Sequence, residues 1–230
     1  MFNLIKAADI SRATRRYITN NWSGVNYQLQ KHGNINPLLT AKLQQAEELK
    51  KTTLEWTDIV NGIFLDYYAP GVTTHVRRFP LIVDVDHDVA VIPGDGEMTQ
   101  FFTHTTDIGK YIAALLSLEK WECKYYIKGD ALTWNRLLAL AERAKGVKFD
   151  VTYDSAEKIE KGEVTLVRAH VEILSKVGMD EAMLKKFMET VFKALIEGRG
   201  DFGPGSYLNE IFPEIVPLKT EEALQQSFSK

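Results

Sequence analysis

Histidine and acidic side chains come closest together in the segment 84–88, which has the sequence Asp-Val-Asp-His-Asp. Imidazole and carboxylate groups are common ligands of divalent metals. On a β-strand, however, Asp84, Asp86 and Asp88 would share one face and His87 would lie on the other. The pattern therefore favours a solvated polar edge, and we expect no metal site in this chain.

Residues that commonly perform nucleophilic chemistry do not occur at catalytic spacing. Cys123 is the only cysteine, so neither a disulfide nor a Cys-x-x-Cys site can form within the chain. His104 and His170 have no catalytic partner at a suitable spacing and are predicted to be structural. Tyr125 precedes Lys128 by three residues, whereas the Tyr-x-x-x-Lys pair of ordinary short-chain dehydrogenases requires four.

A glycine-rich turn for the phosphates of a dinucleotide is also missing from the sequence. The segment 94–96 (Gly-Asp-Gly) follows a strand-like stretch, but no third glycine follows at the required distance. A tight β-turn is the favoured interpretation of this segment.

Composition and charge narrow the class of protein. The 230 residues include 28 Lys and Arg and 31 Asp and Glu, a net charge of −3 that gives no footprint for nucleic acid. A hydrophobic fraction of 45% is typical of a globular protein. The sequence contains no run of about 18 apolar residues, and we expect no signal peptide because residues 1–10 lack a long apolar stretch. We therefore expect a cytoplasmic protein without a nucleic-acid or membrane partner.

Hydrophobic periodicity predicts alternating helices and strands in the first 60 residues: a helix near 2–10, strands at 15–19 and 56–60, and a helix at 37–51 between them. This order is typical of a parallel sheet covered by helices. Further along, we predict β segments and turns at 72–100, helices at 108–118 (capped by Thr106 and Asp107), 133–145 and 180–197 (capped by Asp180), strands at 125–127 and 149–153, and a loop at 198–217.

Several motifs then occur in the order and spacing of one family. They are 20–24 (Asn-Asn-Trp-Ser-Gly), 54–57 (Leu-Glu-Trp-Thr), 60–68 (Val-Asn-Gly-Ile-Phe-Leu-Asp-Tyr-Tyr), 94–96, 102–103, 107–113 (Asp-Ile-Gly-Lys-Tyr-Ile-Ala), 126–130 (Tyr-Ile-Lys-Gly-Asp) and 212–214 (Phe-Pro-Glu). In these motifs the chain resembles the NmrA-like, isoflavone reductase-like family, which is an atypical group of short-chain dehydrogenases. It resembles the fungal members of that family in particular. The resemblance covers nearly the whole chain.

The resemblance implies an N-terminal part with a glycine-rich phosphate loop, which this sequence does not contain. Because that loop and the following helix N-terminus hold the pyrophosphate, we expect these 230 residues alone to bind NADPH weakly or not at all. We also expect an exposed sheet edge at Tyr17 and Ile18, which favours self-association or a protein partner.

The family places a lysine on the helix after the loop 20–24, and Lys42 occupies this position. In reductases of the family that lysine lies beside the nicotinamide and donates or accepts a proton. The resemblance therefore implies that Lys42 is catalytic and points into a cleft near Asn61 and Phe64. Without the family, the helix position indicates a solvated lysine beside polar neighbours.

The same resemblance implies a cofactor-binding set at the carboxyl ends of two strands. Asn61, Gly62 and Phe64 match the loop that faces the nicotinamide in the family, although a glycine turn with Phe64 in the core is nearly as well supported. Thr19 and Asn20 end the preceding strand. Because relatives more often carry Ser-Glu-Phe or Ser-Glu-Trp where this chain has Asn20-Asn21-Trp22, side-chain roles there are less well supported.

The predicted fold is α/β, a partial doubly wound, Rossmann-like parallel sheet with a smaller α+β lobe. Residues 1–120 would form half of the NAD(P)-binding domain with a β-rich insertion near 70–100, and residues 121–230 a substrate-binding lobe. The resemblance implies an oxidoreductase that uses NADP, or alternatively NAD, to reduce a small aromatic or secondary metabolite. Two alternatives stay open: a non-catalytic NADP-sensing regulator, and a remnant without cofactor binding.

Overall fold

The computed structural model describes residues 2–20, 37–177, 180–198 and 202–229. The predicted loop residues 21–24, including Trp22, lie outside these ranges. The described elements, in chain order, are α1 (Phe2–Ile10), β1 (Arg16–Ile18), α2 (Pro37–Leu49), β2 (Glu55–Val60), β3 (Ile63–Phe64), β4 (Val83–Asp84), β5 (Val89–Pro93), β6 (Thr99–Thr103), α3 (Thr105–Leu115), β7 (Lys124–Tyr126), β8 (Asp130–Thr133), α4 (Trp134–Lys145), β9 (Asp150–Asp154), α5 (Ala156–Glu160), α6 (Arg168–Val177), α7 (Glu181–Ile196), α8 (Leu208–Ile211) and α9 (Thr220–Phe228).

A parallel sheet with the strand order β1-β2-β7 confirms the predicted α/β fold. Successive side chains on a strand alternate between the two faces, and the packing follows this rule. Tyr17 and Trp56 join Ile5, Leu49 and Leu54 beneath α1 and α2. On the opposite face, Ile18 and Ile59 pack with the α3 residues Ile108, Tyr111 and Leu115. Helices thus cover both faces of these strands, as a doubly wound fold requires.

Two further sheets adjoin the parallel one. In the first, β6 lies between β3, to which it is parallel, and β8, to which it is antiparallel. In the second, β5 pairs antiparallel with β4 and parallel with β9. The largest apolar core belongs to this part of the molecule and centres on Tyr68, Phe102, Trp134, Met188 and Phe192.

Hydrogen bonds cross the predicted domain division at residue 120. The strand β7, assigned from the sequence to the second lobe, pairs with β2 and completes the parallel sheet. Tyr125 therefore belongs to that sheet. The strands β8 and β9 likewise pair with β6 and β5 of the first region. The division at residue 120 thus separates stretches of sequence and does not separate sheets.

Most predicted helices and strands are present, with small shifts at their ends. The helix α3 begins at Thr105 because the His104 side chain accepts a hydrogen bond from the Thr106 N–H, so the predicted caps Thr106 and Asp107 are wrong. Thr133 and Asp180 cap α4 and α7 through their side-chain oxygens. The segment predicted as a loop at 198–217 contains the short helix α8.

Asp84 ends β4 and residues 85–88 form the turn to β5, so the predicted strand alternation does not apply there. His87 Nδ1 lies 2.8 Å from Asp84 Oδ2, and Asp86 forms an ion pair with Arg78. Among the residues that the structure describes, no helix is long and apolar enough to cross a membrane.

Candidate active site

A buried carboxylate lies at the carboxyl end of the parallel sheet. Asp58, on β2, is only 7% exposed. Its Oδ1 atom accepts a hydrogen bond of 2.5 Å from the hydroxyl of Thr19. Thr19 follows the last residue of β1, and its N–H donates to the Thr57 carbonyl at 3.0 Å, which places Thr19 beside Asp58. The carboxyl ends of β1 and β2 are thereby joined by side chains as well as by the backbone.

Two lysines approach this carboxylate from different elements. Lys42 lies on α2, one turn before the buried Gln45 and two turns before the buried Leu49, so the three share the inner face of that helix. Lys124 begins β7 and is paired directly opposite Asp58 in the parallel ladder. Paired residues on neighbouring strands project to the same face of a sheet. Asp58 and Lys124 therefore project toward the face that α2 covers.

Burial and the charge of Asp58 have opposite effects on the pKa values of the two lysines. Burial lowers the pKa of Lys42, and the negative charge of Asp58 acts in the opposite sense. The pKa of Lys124 is lowered by burial in the same way and is also raised in part by Asp58. A lysine whose pKa is lowered releases its proton more readily than an unperturbed one. The cluster therefore holds two ammonium groups that part with protons more readily than a surface lysine does.

Some polar atoms around the cluster have no hydrogen-bond partner within the described part of the chain. They are Lys124 Nζ and both polar atoms of the Gln45 side chain, and all are inaccessible to solvent. Buried polar groups are normally paired, so unpaired ones call for an explanation such as catalysis or a bound molecule.

Asn61 and Gly62 form a rigid turn directly after β2. Asn61 is fully buried, its Nδ2 donates to the Gly62 carbonyl at 2.9 Å, and its own carbonyl accepts from the Thr103 hydroxyl at 2.6 Å. Gly62 has a φ of +76°, and a Cβ atom there would lie 2.3 Å from the Phe101 carbonyl oxygen. Only glycine fits this position, so the turn holds the backbone at the strand end in one conformation.

Phe64 is half-buried beside residues of α3. Its ring meets Tyr67 edge-on with centroids 5.6 Å apart, and it packs against the cluster on the α3 side of the sheet. Asn20 is exposed directly after the buried Thr19. The structure thus joins Thr19 and Lys42 around Asp58, while Asn61, Gly62 and Phe64 form a second group tied to β6. Contact between Lys42 and the second group stays a prediction.

The sequence-based site did not include Asp58 or Lys124. A signal for Asp58 was present, because a carboxylate stands within the otherwise apolar end of β2, Trp-Thr-Asp-Ile-Val. Lys124 carries no such signal, because it stands at the first residue of its strand and only the pairing of β7 with β2 places it opposite Asp58.

Comparison with known proteins assigns the chain to a family. No family model matches it. It is 32% identical to oxidoreductase BOA1 of Botryotinia fuckeliana over an alignment of 216 residues. This alignment covers 94% of this chain and 67% of that protein. It is 31% identical to oxidoreductase swnN of Metarhizium robertsii, over 80% of this chain and 55% of that protein. The chain thus spans between about half and two thirds of the length of these two relatives.

Solved structures share the fold at lower sequence identity. AtPrR2 with NADP+ and (+)pinoresinol superimposes with a TM-score of 0.71 at 17% identity, covering 97% of this chain and 68% of that one. The ternary complex of leucoanthocyanidin reductase from Vitis vinifera gives 0.70 at 14% identity, covering 99% and 73%. The similarity to the fungal oxidoreductases is the strongest of these findings. It shows that the chain belongs to the NmrA-like, isoflavone reductase-like family of oxidoreductases.

Proposed function

We propose that the protein is an NADPH-dependent reductase of a small aromatic or secondary metabolite, with Lys42 as the proton donor. The observation that carries the proposal is the placement of Lys42, half-buried on the inner face of α2 with a lowered pKa and within electrostatic range of Asp58. An ordinary surface lysine has no such environment.

The site residues fit a nicotinamide at the carboxyl edge of the sheet, which is where a doubly wound fold binds its ligands. Thr19 and Asn61 follow the ends of neighbouring parallel strands. The buried Asn61 Oδ1 has no hydrogen-bond partner among the described residues and so offers an acceptor there. Support also comes from the neighbours, since AtPrR2 was solved with NADP+ and (+)pinoresinol and leucoanthocyanidin reductase with NADPH.

NADPH, when bound, supplies a hydride to an electrophilic carbon of the substrate. The carbonyl or conjugated double bond that receives it is left with a negative charge. Lys42, as the ammonium, stabilises this charge and donates the proton that completes the reduction. Asp58 favours the ammonium form of Lys42 between turnovers, while burial keeps the proton available for transfer.

The experiment is a comparison of Lys42→Met with Lys50→Met in the full-length gene product. Lys50 lies just beyond α2, exposed and paired with Glu47, so its variant controls for loss of a nearby lysine. NADPH oxidation is followed with (+)pinoresinol and related aromatic ethers, carbonyls and alkenes as probes. We expect Lys42→Met to lower turnover by about 10²–10⁴-fold, the usual contribution of an acid–base group, and Lys50→Met to leave it unchanged.

NADPH binding is measured separately by the change in its fluorescence. Lys42→Met with normal binding and unchanged turnover would exclude Lys42 as the proton donor. Tight NADPH binding without turnover of any probe would instead favour a regulator that senses the cofactor.

A further inference from the structure

We propose that Lys128 is a substrate-binding residue whose ammonium group pairs with a carboxylate of the substrate. The proposed reductase would then act on an aromatic or secondary metabolite that carries an acid group. The inference rests on the proposed function for the identity of the bound molecule as a substrate, and it adds the charge of that molecule.

Lys128 lies beside the turn that belongs to the candidate nicotinamide site. The strand β7 ends at Tyr126, two residues before Lys128. The Thr103 hydroxyl donates to the Asn61 carbonyl at 2.6 Å and accepts from the Gly129 N–H at 3.1 Å. One hydroxyl thus joins the turn after β2 to the residue that follows Lys128. These hydrogen bonds place Lys128 at the edge of the sheet where a doubly wound fold binds its ligands.

The half-buried side chain of Lys128 is held over aromatic rings. Its Nζ atom lies 3.9 Å from the centre of the Tyr207 ring and 5.4 Å from the centre of the Phe101 ring, and both rings belong to one buried cluster. The Asn209 side chain fixes the backbone, because it donates to the Lys128 carbonyl and accepts from the Lys128 N–H, both at 2.8 Å. An ammonium group that is already held in place loses little side-chain freedom when it binds a ligand.

A second lysine of the chain shows what a structural lysine over aromatic rings looks like. Lys145 also lies over two rings, but its ammonium group donates to the Val85 carbonyl at 2.6 Å and pairs with Asp88. Among the described residues, Lys128 forms no hydrogen bond and no ion pair through Nζ. Its N–H donors and its positive charge are therefore available to a bound molecule, whereas those of Lys145 are used within the fold.

The surroundings of Lys128 favour a carboxylate over a phosphate as its partner. Doubly wound folds hold phosphates with a glycine-rich turn and a helix N-terminus. Lys128 instead follows a strand, and the cluster beneath it is mostly aromatic. A single ammonium group beside aromatic rings suits an organic acid, whose carboxylate pairs with the cation while its apolar part contacts the rings.

The test compares aromatic acids with their amides as ligands of the full-length gene product. Benzoate, cinnamate and 4-hydroxycinnamate are each paired with the corresponding primary amide, which has nearly the same shape and no charge. Binding is measured by calorimetry in the presence of NADP+, which carries no hydride, so no reaction takes place. We expect at least one acid to bind about 10-fold more tightly than its amide, as for a hydrogen bond between charged groups.

Lys128→Met should abolish this preference, because it weakens binding of the acid about 10-fold and leaves binding of the amide unchanged. Lys128→Arg keeps the positive charge and should keep the preference. Lys219→Met is the matched control, since Lys219 is a nearby lysine whose ammonium group already donates to the Gly129 carbonyl at 3.1 Å. The preference for the acid should persist in this control. If Lys128→Met does not fold, Lys128→Gln replaces it with the same expectations.

The inference is overturned if no acid of the set binds more tightly than its amide, or if folded Lys128→Met keeps the preference. It is also overturned if Lys128→Met weakens binding of NADP+ and leaves the acids unaffected, because Lys128 would then bind a phosphate of the cofactor. Failure of the proposed function looks different: the preference would be present and would be lost in Lys128→Met, while NADPH was oxidised with none of the acids or other probes.

Discussion

Two kinds of buried aspartate occur among the described residues, and the division separates the architecture from the candidate chemistry. Asp66, Asp84 and Asp154 are fully buried, and each accepts a backbone N–H together with side-chain donors. Asp58 is held by the hydroxyl of Thr19 and lies near two lysines whose pKa values burial lowers.

The structural aspartates tie distant segments together. Asp66 accepts the N–H and hydroxyl of Thr105 and the hydroxyl of Thr74, which fixes the start of α3. Asp154 joins β9 to Thr165 through both the backbone and the hydroxyl of that residue. A carboxylate whose oxygens bind fixed donors is part of the scaffold, whereas a carboxylate facing mobile cations can take part in proton movement.

The largest expected effect in this comparison is a loss of stability in Asp84→Asn, which is matched against Asp58→Asn. Both oxygens of Asp84 accept backbone N–H groups, from Asp86 at 3.2 Å and from Ala169 at 3.0 Å. In Asp84→Asn, either amide orientation turns an NH2 group toward one of these N–H donors. We expect a loss of about 2–3 kcal/mol in the free energy of unfolding by urea, as for a buried donor left unpaired.

Asp58→Asn should cost about 1 kcal/mol or less, since the Thr19 hydroxyl can still donate to the amide oxygen and the lysines can lose protons. An equal loss of unfolding free energy in Asp84→Asn and Asp58→Asn would contradict the distinction between a structural carboxylate and one that takes part in proton transfer.

A buried base extends the comparison to the pH dependence of stability. The base is the imidazole of His170. Burial lowers the pKa of His170 to about 4 from 6.5. Its Nε2 donates to the Pro80 carbonyl at 2.8 Å and its Nδ1 accepts from the Val167 N–H, so the neutral ring is held at both nitrogens. The unfolded chain binds a proton here between about pH 6.5 and pH 4 and the folded chain does not, so stability falls as the pH falls through this window.

For His170 alone this loss amounts to at most about 3 kcal/mol. Urea unfolding at pH 7.5 and pH 4.5 measures it, with His170→Gln reducing the difference between the two pH values. His75, which is exposed, supplies the control His75→Gln. If His170→Gln leaves the pH dependence as steep as in the control, the histidine is not the group that titrates.

Sequence patterns predicted local structure well and non-local pairing poorly. Apolar spacing and the side-chain oxygens of Thr133 and Asp180 were sufficient to place α4 and α7. The strand β8, Asp-Ala-Leu-Thr, shows no alternating burial and exists because it pairs with β6.

The residues of the candidate site differ in the same way. Those that lie in a family motif could be predicted from the sequence, and the one that depends on strand pairing could not. Lys42, Asn61 and Gly62 came from the resemblance to a family, and the positive φ of Gly62 gives a physical reason for that glycine. Lys124 could not be found because its importance depends on which residue of a neighbouring strand it faces. Register of this kind is determined by the packing of the whole sheet and cannot be derived from a strand of three residues.

The smallest predicted effect compares two lysines that each lie near a buried aspartate. Lys158 donates to Asp154 at 2.5 Å and to the Thr165 hydroxyl at 2.6 Å, whereas Lys124 Nζ has no hydrogen bond within the described residues. Lys158→Met should therefore lower the free energy of unfolding by about 1–2 kcal/mol. Lys124→Met replaces a buried cation with a flexible apolar side chain and should raise it by up to about 1 kcal/mol.

The size of the Lys124→Met effect depends on pH in a definite way. Because burial lowers the pKa of Lys124 in the folded chain, this lysine destabilises the fold most where the unfolded chain carries the full charge, below about pH 10. The gain from Lys124→Met should therefore shrink as the pH of the urea experiment is raised from 7 toward 10.5. A variant that is less stable than the parent at pH 7 would show that Lys124 supports the fold as Lys158 does, and the contrast between the two regions would fail at this position.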